Sequence, residues 1–498
     1  MNTPINSQAY LSWEGSSSHA RRLGASVHQP QRRYFIDIPL LLLSVGLLTW
    51  MLPTDRMLLV SGLTGGAAGV ITFWDIVVRR GPIRVSHVFC VANTVGYGLG
   101  LANSWLTIPR GDMTLAAYFD RDPEAVAQAM ATVLISSAIL YSLGEIYEPP
   151  VFRQNFTLRL DNRTPAFIFV GTLLIVVGVA TGKLGYMGVS VDNGKVSFLD
   201  GLIGWISPTL FAFTCIAFLQ WPKRLMKWSL GATVAMQFLL AVPTGRRNIL
   251  YFVLLALIAT RFSDYKMKGS ILRKGLLAAV LAVLVGVGAL AFYYMRSAAL
   301  GRQHISLLDR VSLAWDLYSS GKSGKVNQDF AQNLQGRTFV LGYVSDLLDA
   351  SFHMKPAKGA DAWHEFELSI PSAFWANKGE ILYNEESLAN TQFHFAYSDQ
   401  PNSIYSAGAL DFGFLGMVFY PVLVAVLFRA MAEFVRINMP ETVSIIVILA
   451  LLFNALMTEG GLVGRFLTIR NSLLFSGVLW LFFKMPAFSM SRQAGKFA

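Results

Sequence analysis

The sequence predicts an all-α polytopic membrane protein of about twelve transmembrane helices, with a large, mostly helical loop domain on the outer face. Three observations predict it. The chain is 54% hydrophobic and 14% charged, against about 45–50% and about 25% for a soluble globular protein. Its apolar residues fall into long runs of the order of the ~20 residues that carry a helix across a hydrocarbon core about 30 Å thick. The short links between those runs alternate between strongly basic and acidic or mixed.

Residues 1–33 come first and are polar, with Arg21-Arg22 and Arg32-Arg33. The first pair is followed by a polar stretch where a twin-arginine or cleaved secretory signal would have an apolar core. A disordered cytoplasmic tail is expected. Nine apolar runs then begin near residues 35, 57, 85, 125, 165, 200, 229, 248 and 276 and fill 34–296; three more begin near 412, 442 and 467 and fill 412–485. Inside lipid a backbone must satisfy its own hydrogen bonds, so these runs are read as helices. Gly62 to Gly69 in the second run have the small-residue spacing of close helix packing. Cys90 and Cys215 both lie inside apolar runs, where they are expected to pack, not to form a disulfide or hold a metal.

Lysine and arginine in short links mark the cytoplasmic side. Counted from inside, the even links carry Arg79-Arg80-Arg84, Arg153-Arg159-Arg163, Lys223-Arg224-Lys227, Lys266-Lys268-Arg273-Lys274 and Arg429-Arg436. The tail 486–498 falls on the same side, and the odd links around Asp55, Asp112 and Asp192 are acidic or mixed. Both termini are therefore expected on the cytoplasmic side. The net charge of +11 finds its explanation there; no basic stripe interleaved with aromatics points to nucleic acid. The sequence has no HExxH, CxxC or spaced His/Asp cluster, so no metal is expected, and no glycine-rich phosphate loop, so no nucleotide or other cofactor.

Residues 297–411 break the pattern, being too long for a connector. A folded outer-face (periplasmic) segment is expected. It holds Trp315, Trp363, Trp375, Tyr318, Tyr343, Tyr383, Tyr397 and Tyr405 among polar groups. Such aromatics suit either sugar stacking or packing at lipid headgroups.

Several arginines lie on the outer side against the general charge trend. Arg246 and Arg247 open the eighth run, Arg296 ends the ninth with Arg302 close behind, and Arg465 and Arg470 sit at the mouth of the last helix pair beside Glu459. Guanidinium groups bind phosphate oxygens bidentately, and the natural membrane anion at that face is a lipid-linked diphosphate. Arg337 and Lys378 are secondary candidates for it; snorkelling to ordinary headgroups is the other reading. In the loop, His364-Glu365-Phe366-Glu367 offers a general base, His364 or Glu365.

These residues resemble a family. Thr244-Gly245-Arg246-Arg247 is similar to the T-G-x-R element of the Wzy-type polymerases that extend O-antigen and exopolysaccharide repeat units, and Arg296 is similar to their companion arginine. Ile370-Pro371-Ser372-Ala373-Phe374-Trp375-Ala376-Asn377-Lys378 looks like their I-P-x-x-(F/L)-x-x-x-K element, and Asp411-Phe412-Gly413-Phe414-Leu415-Gly416 like their F-G-x-x-G start of a helix. The third outer link, Gly182 to Lys195, lacks the arginines found in some members. The resemblance implies a GT-C-like bundle in a bacterial inner membrane and a metal-independent glycosyltransferase acting on polyprenyl-diphosphate-linked oligosaccharide. It also implies membrane lipid, a chain-length regulator and a flippase as partners. A ligase that hands the finished glycan to a lipid acceptor would use the same site. A flippase or transporter is the rival from another class, and the sequence shows neither the repeats nor the buried mid-helix charge pairs common there.

Overall fold

Every apolar run is helical in the computed structural model, which describes residues 37–152, 158–181, 198–263, 271–299, 307–320, 324, 326–328, 340–371, 374–375, 384–397 and 400–484. In chain order the helices are α1 Ile38–Met51, α2 Asp55–Val77, α3 Val85–Thr107, α4 Pro123–Tyr147, α5 Thr164–Ala180, α6 Phe198–Gln220, α7 Arg224–Ala241, α8 Arg246–Ala259 and α9 Ile271–Ala299. The long segment that follows holds α10 Leu307–Ser319, α11 Leu341–His353, α12 Ala360–Ser369, α13 Glu385–Phe393 and α14 Ile404–Phe412. The chain continues through α15 Phe414–Asn438, α16 Glu441–Leu456 and α17 Leu462–Lys484. Among the described residues there is no strand. Seven helices, α2, α3, α4, α6, α9, α15 and α17, are long and apolar enough to cross a membrane; α1, α5, α8 and α16 are apolar but shorter. A chain of this kind is embedded in a membrane. The tails, residues 1–33 and 486–498, lie outside the described residues.

The basic links gather at one end of the bundle. Arg80 donates to the Ser263 carbonyl, Arg261 to those of Ile76 and Gly81, and Arg163 to those of Phe482 and Phe483. Arg84 pairs with Glu145 at 2.7 Å. Each of these caps a helix C-terminus or neutralises a carboxylate, which is where cations stabilise a helix. Glu148 does the converse, accepting from the Val85 and Ser86 N–H groups at 2.6 and 3.1 Å at the start of α3.

α2 and α3 touch backbone to backbone. A Cβ on Gly62 would lie 2.8 Å from the Gly98 carbonyl, and one on Gly98 would lie 2.8 Å from the Gly62 carbonyl. The glycine run in α2 is therefore the packing stripe that its spacing predicts. α3 carries a π-helical segment, Thr94–Leu99, at this contact. Such a bulge shifts side-chain register, and it is flanked by Asn93 and contains Tyr97, both turned to α14.

α14 departs from the sequence reading. Residues 297–411 are expected outside the bundle, yet residues 403–411 are all buried. Asn93 donates to the Tyr405 hydroxyl at 3.0 Å, and the Tyr97 hydroxyl donates to Ser403 at 2.8 Å. Both partners lie near the middle of α3, so α14 is a re-entrant helix whose N-terminus sits deep among the spans. Non-helical backbone at such depth is tolerated only when enclosed by protein. Ser403 and Ser406 supply a reciprocal capping box there. Gly413, at φ 60°, reverses the chain into α15, and the α14–α15 hairpin closes through Gly408 against Gly416, backbone on backbone. At nine residues, α14 is too short to register as a spanning run.

Candidate functional site

The end of the bundle opposite the basic links is covered by α11, α12 and α13, which share the same buried core as the spans. On the α1–α4 side Arg121 pairs with Asp346 of α11 at 3.1 Å, and Arg110 ties the α3–α4 link to Asp55 at the start of α2 at 3.0 Å. On the other side the carboxylates are arranged differently.

α12 begins where Asp411 accepts hydrogen bonds from the Asp361 and Ala362 N–H groups, both at 3.0 Å, and from the Tyr420 hydroxyl at 2.6 Å. Its C-terminus is held by Arg470, which donates to the Ser369 carbonyl at 2.6 Å. Both ends of α12 are thus satisfied from other helices, an anion at the N-terminus and a cation at the C-terminus. Asp361 and Glu365, four residues apart, share one face of α12 and are almost fully buried. Glu365 accepts the Val463 N–H at 2.8 Å in the first turn of α17. Glu385, the first residue of α13, joins them and is wholly buried.

Among the described residues, no lysine or arginine forms an ion pair with Asp361, Glu365 or Glu385. Neither carboxylate oxygen of Glu385 accepts a hydrogen bond, nor does Asp361 Oδ2, and the buried Tyr343 hydroxyl is likewise without a partner. The nearby Ser406 donates its one hydroxyl hydrogen to the Ser403 carbonyl at 2.9 Å. Burial, with smaller additions from neighbouring carboxylates, raises Asp361 and Glu385 well above the usual carboxylate range. Burial holds Glu365 up at about 7, opposed by the Val463 and Glu385 N–H groups. The arrangement favours the protonated form of these carboxyls and places Glu365 where it exchanges a proton near neutral pH.

The link between α16 and α17 touches α8 and the residues around the acid cluster. Thr458 donates its N–H to the Tyr251 hydroxyl of α8 at 3.4 Å, and Gly461 lies beside Asn402 and Glu385. Val242, before the Thr244–Arg247 turn, packs against the apolar cluster of Phe292, Met295 and Ala298 around Arg296. The residue that leads into the T-G-R-R turn therefore adjoins the end of α9. Arg296 is half-buried. The side chains of Arg246 and Arg247, and the whole of Arg302, Arg337, Lys378 and Tyr383, lie outside the described residues.

Arg465, a diphosphate candidate in the sequence, has protein partners in the fold. Its guanidinium is buried and donates to the Asn454 carbonyl and side chain and to the Met457 carbonyl. With both terminal nitrogens on the C-terminus of α16, it fixes the link and offers no bidentate face to a phosphate. His364 is about a quarter exposed, with Nδ1 3.8 Å from Glu367. Of the loop aromatics, Tyr343 and Tyr405 are core residues, whereas Trp315 and Trp363 are exposed.

Sequence reasoning missed Asp361 and Glu385. The i, i+4 acids of α12 were a legible signal, because a pair of carboxylates on one helix face beside Trp363 and Phe366 is unusual for a helix facing water. Compared with family models, with curated proteins and with solved structures, the chain returned no match.

Proposed function

We propose that the chain is a membrane glycosyltransferase that joins polyprenyl-diphosphate-linked oligosaccharides, with its twelve apolar helices in a bacterial inner membrane and the α11–α13 end facing outward. The observation that carries this reading is Glu365, a buried carboxyl held up at about 7 at the junction of α12, α13 and α17. A general base works best when its pKa lies near the working pH. The acceptor hydroxyl would give its proton to Glu365 as its oxygen bonds to the anomeric carbon, and the bond from that carbon to the diphosphate would break with its electron pair leaving on the diphosphate. Arg246, Arg247 and Arg296 are the cations assigned to that leaving group, since stabilising developing charge is commonly the largest catalytic contribution. This reading takes Glu365 as the base, with His364 as the alternative, and gives Arg465 no part in the diphosphate set because its terminal nitrogens bond the C-terminus of α16.

The test is incubation of purified protein with a lipid-linked repeat unit. Longer glycans on a gel are expected, with single units accumulating for Arg246→Ala and Arg296→Ala; normal chain length in both variants would refute the assignment. Transfer to a lipid acceptor without lengthening would make the chain a ligase. One observation favours transport instead: α14 is a half-helix with its N-terminus deep in the bundle, a feature of transporter sites. Counterflow of lipid-linked sugar in vesicles, with no change in glycan length, would select that reading.

A further inference from the structure

α12 is amphipathic in the inverted sense. Its acids face the protein, with Asp361 1% and Glu365 4% exposed, while Trp363 and Phe366 point outward at 60% and 45%. In water this arrangement loses twice, because it hides carboxyls and wets aromatic rings. Next to hydrocarbon the sign of both costs reverses, since the acids gain protein neighbours and the rings meet an apolar medium.

The position of α12 agrees. Glu365 meets Val463, Phe366 packs edge-on to Phe466 with ring centroids 5.7 Å apart, and Ser369 meets Arg470. From Val463 to Arg470 α17 rises roughly 10 Å, so α12 runs down beside the first third of a helix long and apolar enough to span. The Trp363–Phe366 face is continuous with the outward surface of α17, where Leu473 is 48% exposed. A rim helix that only touched headgroups would end at the start of α17.

We propose that α12 is inserted into the outer edge of the bilayer core, with Trp363 and Phe366 against lipid acyl chains and Asp361 and Glu365 turned into the protein. The lipid then forms one wall of the shield around the carboxylates. This holds whatever reaction the site performs, and it does not rest on the glycosyltransferase reading.

A photoreactive benzoylphenylalanine at position 363 or 366, with the chain in vesicles of phosphatidylethanolamine and phosphatidylglycerol, tests it. Position 473 serves as the lipid-facing reference and Lys355, an exposed charged residue of the loop end, as the aqueous one. Irradiation is expected to give lipid adducts at 363 and 366 by mass spectrometry, in the yield seen at 473, and none at 355. Crosslinks from 363 and 366 to a second copy of the chain or to another protein would overturn the proposal, as would loss of the lipid adduct at both. A second measurement leaves the backbone untouched: in vesicles of brominated phosphatidylcholine, Trp363→Phe should lose one quenchable tryptophan of the eleven. Unchanged quenching would also overturn it.

Discussion

Partly exposed carboxylates at the basic end of the bundle are paired with arginine, whereas at the other end, where Asp55 and Asp346 have Arg110 and Arg121, a more deeply buried group of acids has no such partner. At the basic end Glu145 has Arg84 at 2.7 Å, Glu433 lies between Arg429 and Arg436, and Glu148 takes two N–H groups of α3. At the other end Asp361, Glu365 and Glu385 lie close enough to act on one another's charge, with no cation paired to any of them among the described residues. Removing a carboxylate from water is costly unless the negative charge is compensated. The basic end compensates with arginine and ties its links together; the loop end compensates by keeping protons, which makes it responsive to pH. Charges of the first kind stabilise a fold, and charges of the second kind are the ones on which the proposed chemistry rests.

The largest effect that would sharpen this contrast is on turnover. Glu365→Gln keeps the acceptor for the Val463 N–H but cannot take a proton, so glycan extension is expected to fall by about 10²–10⁴-fold, the usual contribution of a general base. Thermal unfolding in detergent near pH 5 should be little changed. Full activity in Glu365→Gln would reduce the acid cluster to a helix-capping device. The reciprocal change at the basic end should act on stability alone. Arg84→Ala leaves Glu145 without its partner and frees the Glu148 carbonyl, costing about 2 kcal/mol, as hydrogen bonds to charged groups typically do. Activity per folded molecule should be retained.

How much of this was legible follows the length scale of each signal. The runs near 57, 85 and 125 are the helices α2, α3 and α4, because about 20 apolar residues leave the backbone no other option. The basic links sort to one end, because charge in a short link has nowhere to hide. α14 escaped notice, since nine residues of Ile404–Phe412 are half a span and their burial depends on Asn93 and Tyr97 from a distant helix. The acid cluster escaped for a related reason: 361–365, 385 and 411 are separate in sequence and meet only through the α12, α13 and α14 packing. Arg465 was misjudged because a guanidinium at a helix mouth looks the same in sequence whether it faces a phosphate or the carbonyls of the preceding helix.

The next test of the contrast is pH. Glu365 is raised by burial from 4.5 to about 7, so between those values the folded chain holds a proton that the unfolded chain has released. The unfolded state then binds fewer protons, and stability falls as pH rises, by up to about 1.4 kcal/mol per unit for each such group. The stabilisation is fully present below 4.5 and lost through about 7. Asp346, pushed up to about 6 by burial, adds to the same slope. Unfolding temperatures measured from pH 5 to pH 7.5 should therefore decline, and Glu365→Gln or Glu385→Gln should flatten the decline while Arg84→Ala leaves it in place. A stability that rises over this interval would break the comparison, since it would mean that the acids are ionised and compensated in the fold.

The smallest expected effect concerns a third solution to the same problem, one that uses no charge. The N-terminus of α14 lies deep among the spans, and its N–H groups are met by the Ser403–Ser406 capping box, while the Tyr97 hydroxyl is received by Ser403. Ser403→Ala removes the acceptor for the Ser406 N–H and leaves the Tyr97 hydroxyl seeking another, so a loss of about 1 kcal/mol is expected, the usual cost of deleting a serine cap. Because no titrating group changes, the loss should be the same at pH 5 and pH 7.5. A loss that grew with pH would couple α14 to the carboxylates above it, and the neutral helix end and the acid cluster would then have to be treated as one unit.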